Sequence, residues 1–120
     1  MPDVRFVGAI GPWPGFSAPD DSWFRSTVLE RKQPVVVKFG APWCGPCRMI
    51  DPELDRLASS GQVAVVKIDV QRNRDLARHY RVSSIPSVFL FNKGTVVAHR
   101  VGYADYDQLR KWVAGHVAPY

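Results

Sequence analysis

Residues 35–52 read VVVKFGAPWCGPCRMIDP, and this stretch holds both cysteines of the 120-residue chain. PVVVKFG (34–40) is a short, largely β-branched apolar run, which suits a strand covered on both faces rather than a helix. From about Cys44 to Ser59 the apolar residues Ile50, Leu54, Leu57 and Ala58 recur at i, i+4, i+7 and i+8, which predicts a helix with one buried stripe. Pro52 falls inside that helix and should kink it, since proline lacks the amide donor and crowds the preceding turn. One residue is out of keeping: Lys38 puts a charge near the end of the apolar strand, six residues before Cys44.

The C-x-x-C pair, Cys44 and Cys47, admits three chemistries. It is compatible with two small buried hydrophobes. It is also half of a zinc site, but zinc takes four ligands, and His79, His99 and His116 lie at no ligand spacing from one another. The third chemistry is a redox dithiol, and the setting favours it. Cys44 opens a helix directly after a strand, where unpaired amides and the helix dipole stabilise a thiolate over a thiol. The thiolate is the species that attacks a disulfide. Gly45 lets the backbone pass close to the sulfur, and Pro46 stiffens an early helical position that tolerates it. Cys47, one turn on, is placed to close a ring with Cys44, and Trp43 offers a flat apolar wall to a docking partner.

The rest of the chain reads as one domain. Residues 1–19 are a Pro/Gly-rich extension with a candidate edge strand in VRFVGAI, and residues 20–120 are the domain proper. A helix can start at Asp20-Asp21-Ser22, with Phe24 and Val28 as an apolar i, i+4 pair. VAVVKIDV (63–70) predicts a second buried strand, and a short helix follows over about 75–80. SVFLF, the turn NKG and TVVAHRV predict a hairpin whose Gly94 supplies the unusual backbone angle. Asp105 and Gln108 mark the start of a last helix with Leu109, Trp112 and Val113 inward. The order (β)αβαβαββα implies an α/β fold, a mixed sheet with a parallel part and a C-terminal antiparallel hairpin, flanked by helices on both faces.

With 46% hydrophobic and 22% charged residues the composition is that of an ordinary globular domain. The net charge of +5 is scattered, with no basic run and no nucleic-acid motif, so it describes a solvated surface with at most a preference for acidic protein partners. No apolar run reaches the length of a membrane span. The N-terminus is a poor signal peptide, broken by Gly8 and GPWPG, so the expected address is the cytoplasm. The expected state is a monomer. Trp13 and Trp23 are read as packing for the extension, with GPWPG as an alternative docking feature; His79 and His99 are read as non-catalytic.

WCGPC after a VVVxF strand resembles the active site of the thioredoxin family. CRMIDP, VVKIDV, YRVSSIPSVFLFNKG and RVG follow in that family's order and spacing, over roughly residues 22–117. The resemblance implies a thioredoxin fold with Cys44 as the exposed attacking thiol and Cys47 as the buried resolving thiol. It implies that Pro86 follows a cis peptide bond and faces the dithiol. Trp43, Ile85, Gly102 and Tyr103 would line the substrate groove, the backbone beside Pro86 pairing with the substrate like an added strand. The implied partners are disulfide-containing proteins and a flavin-containing thioredoxin reductase. No cofactor is expected on the chain, since NADPH and FAD belong to that reductase and no Gly-x-Gly-x-x-Gly is present.

In the family, the place of Lys38 usually holds a buried aspartate paired with the lysine that corresponds to Lys67. The place of Gly40 usually holds a tryptophan, and Gln71 stands where an acid is common. Three readings of Lys38 follow. It snorkels outward along its apolar stem, into room vacated by the missing tryptophan, and does little. It stays charged near the sulfurs, balanced by Asp69, and makes the disulfide more oxidising. Or it becomes a neutral amine that serves as base for Cys47. The expected function is reduction of protein disulfides. The alternatives are an oxidant or isomerase with a raised potential and a non-catalytic binding subunit.

Overall fold

The structure, a computed structural model, describes residues 4–6 and 22–117. Five strands form one sheet in the order β1-β3-β2-β4-β5, built from β1 (Val4–Phe6), β2 (Val35–Gly40), β3 (Ala64–Asp69), β4 (Ser87–Asn92) and β5 (Thr95–Val101). β1 and β2 run parallel to β3 on either side of it, whereas β4 pairs antiparallel with β2 and with β5. The central strands β2 and β3 are buried at every position, as their near-continuous apolarity requires.

Strand alternation divides the core into two layers. Val35, Val37 and Phe39 of β2, with Ala64, Val66 and Ile68 of β3, pack with Phe24, Val28, Leu76 and Ala77 on one face. Val36 and Val65 pack with Ile50, Leu54, Leu57 and Leu109 on the other. The first face is covered by α1 (Ser22–Phe24), which runs into a π-helical turn (Arg25–Leu29), and by α3 (Arg74–His79). The second is covered by α2 (Gly45–Ser59) and α4 (Tyr106–Ala114). The same parity puts Lys38, Gly40, Lys67 and Asp69 on the α2 side.

Phe24 and Val28 are buried, but the turn that carries them is π rather than α: the Glu30 amide donates to the Arg25 carbonyl, five residues back, at 2.8 Å. Over a single turn an i, i+4 apolar pair does not distinguish the two helices. α2 is assigned continuously through Pro52. Asp105 caps α4 in a full capping box with Gln108. Leu109 and Val113 are buried, whereas Trp112 is only half-buried and lies 5.8 Å from the Arg100 guanidinium. Trp23 packs against the first layer; Trp13 and the GPWPG loop lie outside the described residues. His79 is exposed, and His99 stacks on Phe89 and shares a 2.6 Å hydrogen bond with Ser87.

The β4–β5 hairpin turns on Lys93 and Gly94, both at positive φ (53° and 86°). Gly94 has a second constraint, since a Cβ there would stand 2.8 Å from the Leu29 carbonyl oxygen. Gly61 also has positive φ (79°) but open space around it. Gly61→Ala should therefore cost about 1 kcal/mol, the conformational penalty alone. Gly94→Ala should cost roughly 2–3 kcal/mol, because a backbone carbonyl must also move. Urea unfolding midpoints of the two variants test the difference.

Candidate active site

The β2–α2 junction places the cysteines. β2 ends at Gly40, and after a tight turn Cys44 becomes the N-cap of α2 with Pro46 in the first helical turn. The Cys44 Sγ accepts a hydrogen bond from the Cys47 amide at 3.2 Å. It thus takes the place of the side-chain oxygen that usually caps a helix, at the positive end of a 15-residue dipole. Cys44 and Cys47 are joined as a disulfide. The resemblance implies an exposed Cys44; in this oxidised form Cys44 is 6% exposed and Cys47 1%, so Cys44 is the outer of two buried residues.

Facing the disulfide is the loop before β4, with Ile85–Pro86 joined by a cis peptide bond. Ile85 packs against Ala41, Cys44 and Cys47, and its carbonyl oxygen lies 3.9 Å from the Cys44 Sγ. The Gly102 amide donates to the Pro86 carbonyl at 2.9 Å, with Gly102 at φ 94°. Trp43 is 67% exposed and donates through Nε1 to the Gln71 Oε1 at 3.1 Å. Ile85 thus lies against the dithiol, Gly102 is tied to the loop that carries it, and the Trp43 side chain is turned to Gln71. Tyr103 follows Gly102 and is exposed; its phenol is held above the ordinary tyrosine value by desolvation, then by the Glu53 and Asp105 carboxylates.

Lys38 does not reach solvent; its end lies in the side-chain space of Gly40. Its side chain is 4% exposed, and Nζ donates to the Asp51 Oδ1 at 2.7 Å. Lys67, its register partner on β3, donates to the Asp55 Oδ1 at 2.7 Å and lies 3.8 Å from the Asp51 Oδ1. Among the described residues no ion pair joins Lys38 to Asp69, whose Oδ1 accepts the Gln71 amide at 2.9 Å, although both line one cavity. The two inward lysines are instead answered by two carboxylates one turn apart on α2. Both carboxylates keep contact with water, Asp51 at 30% and Asp55 at 55% side-chain exposure, which limits the desolvation penalty that a fully buried pair carries. Neither aspartate was singled out from the sequence. The available signals were strand parity, which turns Lys38 and Lys67 toward α2, and the i, i+4 spacing of the two acids.

Gly40 provides the room. A Cβ at this position would stand 3.0 Å from the Cys47 Sγ, 3.0 Å from the Lys38 Cε and 3.1 Å from its Nζ. The side-chain space of Gly40 is thus shared by the resolving cysteine and the end of the buried lysine. A cavity of about 80 Å³ adjoins it, lined by Lys38, Gly40, Ala41, Arg48, Asp51 and Asp69 among others. No group of three or more His, Cys, Asp or Glu able to hold a metal ion is found among the described residues.

A cysteine pair capping a helix, opposite a cis-proline loop on a mixed sheet, defines the class of α/β proteins built for thiol–disulfide exchange. Comparison with known proteins narrows the class. The thioredoxin family model matches residues 16–115. Thioredoxin 1 of Synechococcus elongatus is 44% identical over 103 residues, covering 84% of this chain and 96% of its own. Thioredoxin of Haemophilus influenzae is 40% identical over 100 residues, covering 82% of this chain and 94% of its own. Mitochondrial thioredoxin of Mus musculus is 38% identical over 100 residues, covering 82% of this chain, but the match spans only 60% of that protein. The chain belongs to the thioredoxin family.

The crowding at Gly40 predicts a coupling. Gly40→Ala should destabilise the protein, and the loss should shrink by about 1 kcal/mol when Lys38 is also alanine, because two of the three close neighbours are then gone. A double-mutant cycle on chemical unfolding measures that term, and strict additivity would contradict the packing.

Proposed function

We propose that the chain is a thioredoxin-type protein disulfide oxidoreductase that works in the reducing direction. The observation that carries this reading is the Cys44 sulfur, which caps α2, accepts the Cys47 amide and lies beside the Ile85–Pro86 loop. Helix dipole and amide together favour the thiolate, so the reduced protein is armed at neutral pH. The Cys44 thiolate attacks a substrate disulfide: a Cys44–substrate bond forms, the substrate disulfide breaks, and one substrate sulfur leaves as thiolate and takes a proton. Cys47 loses its proton and attacks the Cys44 sulfur; the Cys44–Cys47 bond forms, the mixed disulfide breaks, and the second substrate sulfur leaves. The substrate gains two electrons, which the dithiol loses.

Trp43, Ile85, Gly102 and Tyr103 serve as the docking groove, with Gly45, Pro46 and Pro86 shaping the dithiol's surroundings. The partners are disulfide-containing proteins and a flavin-containing thioredoxin reductase that draws on NADPH. We place the chain, as a monomer, in a thiol-reducing compartment such as the cytoplasm. Cysteine usage supports this, since both cysteines belong to the redox pair and none remains for a structural staple. No helix among the described residues is long and apolar enough to cross a membrane. The domain proper runs over residues 20–120, with 1–19 as its extension.

The burial of Lys38 beside Cys47 favours one second reading, an oxidant or isomerase with a raised potential. Equilibration with glutathione separates the two: the reductase reading expects about −270 mV, the other about −180 mV or higher. In turnover of a model protein disulfide with dithiothreitol as electron source, Cys44→Ser and Cys47→Ser should each lose at least about 100-fold in rate. Only Cys47→Ser should accumulate substrate-linked mixed disulfides. Full activity in the doubly substituted protein would leave a binding subunit as the remaining reading.

A further inference from the structure

The two thiols differ in what surrounds them. The Cys44 sulfur has the helix terminus and the Cys47 amide. Among the described residues no hydrogen-bond donor is aimed at the Cys47 sulfur, and Cys47 is 1% exposed. A buried thiol with neither donor nor water is hard to ionise, because desolvation penalises the thiolate. Yet Cys47 must become a thiolate to resolve a mixed disulfide. The fold places one formal positive charge, that of Lys38, close to this sulfur. Its Nζ and the Cys47 Sγ both lie about 3 Å from the vacant Cβ position of Gly40, so no more than about 6 Å separates them.

We propose that Lys38, ion-paired with Asp51, is the charge that stabilises the Cys47 thiolate during resolution. The proposal rests on the exchange reaction given above and deepens it. Charges at this range in a poorly solvated site interact strongly, whereas an exposed lysine would be screened. Asp51 lies on the same helix as Cys47, four residues on, and its carboxylate reduces the net field at the sulfur. It does not cancel that field, because its Oδ1 also lies 3.8 Å from the Lys67 ammonium and its side chain is partly hydrated. The other charged groups here are Lys67 and Asp69 on β3 and Arg48 and Asp55 on α2. Lys67 has Asp55 for its own partner, and the Asp69 Oδ1 is occupied by the Gln71 amide.

Lys38 thereby acts with a sign opposite to that of a carboxylate base. A base takes the proton, and removing its charge slows ionisation. A cation holds the thiolate, and removing the anion that offsets it leaves ionisation equal or easier. Asp51→Asn separates the two, since the amide oxygen still accepts from Lys38 while the negative charge is lost.

The test is a pH titration of thiolate ultraviolet absorbance in the full chain carrying Cys44→Ser, which leaves Cys47 as the only thiol. Adding Lys38→Met should reduce the Cys47 thiolate population about tenfold at any pH below its midpoint, moving the midpoint up by about one unit. Adding Asp51→Asn should leave that population equal or larger. In the otherwise native protein, single-turnover decay of a mixed disulfide should slow in Lys38→Met and not in Asp51→Asn. An unchanged midpoint in Lys38→Met would overturn the proposal. So would a fall in thiolate with Asp51→Asn, which would give the role to the carboxylate. Should Lys38→Met fail to fold, Lys38→Gln, which keeps a donor for Asp51 and loses the charge, takes its place in the same titration with the same expected shift. The titration involves no substrate protein, so a chain that turns over no protein disulfide would defeat the functional reading and leave this one standing.

Discussion

Two lysines stand side by side at the centre of the sheet, Lys38 on β2 and Lys67 on β3, both turned to the face that α2 covers. No packing of this sheet leaves them there uncompensated, since an unpaired buried ammonium is far too costly to retain. The compensation comes from α2, whose Asp51 and Asp55 meet the lysines at 2.7 Å each while Ile50, Leu54 and Leu57 fill the apolar layer beside them. The helix that carries the dithiol is therefore tied to the sheet by charge as well as by apolar burial. Its axial position and rotation must satisfy both at once, and the position of Cys44 over the Ile85–Pro86 loop follows from that double constraint.

The dithiol inherits an asymmetry from this arrangement. Cys44 is served by backbone: the open end of α2 and the Cys47 amide are present whatever side chains surround them. Cys47 lies one turn inside the helix, against the sheet, where no free amide reaches it, so its environment depends on the side chains of β2. The surroundings of Cys44 are thus secured by the fold itself, and those of Cys47 are where side-chain changes in the sheet can retune the protein.

The sequence made the frame legible because its signals were long or redundant. The β-branched runs of β2 and β3, the apolar stripe of α2 and the Asp105–Gln108 capping box each point one way over many residues. The π-helical turn at Arg25–Leu29 was not legible, since one turn holds too few apolar positions to fix a period. The inward direction of Lys38 follows from parity with Val36, but its partner did not come out of the sequence. Asp69 is close in register, being paired with Gly40, whereas Asp51 meets Lys38 only through the packing of α2 on the sheet. Helix surface acids read as solvated residues by default, and only the docked helix distinguishes the acid that faces a strand from the acid that faces water.

Lys38 and Gly40 are best understood together. They are two residues apart on one strand, so their side chains share a face, and the end of Lys38 lies where a side chain at position 40 would begin. A bulky residue at 40 would expel the ammonium from Asp51 or press on the Cys47 sulfur. A glycine at 40 beside a short acid at 38 would leave a gap under the disulfide, with the lost contacts that such a gap brings. The lysine fills the space that the glycine opens, and the glycine permits the lysine to reach Asp51. The coupling also explains how a charge of this sign can stand beneath a dithiol without disturbing the fold around it. The backbone of β2 keeps its register, the stem of Lys38 takes over apolar volume, and the ammonium ends at a carboxylate already in contact with water.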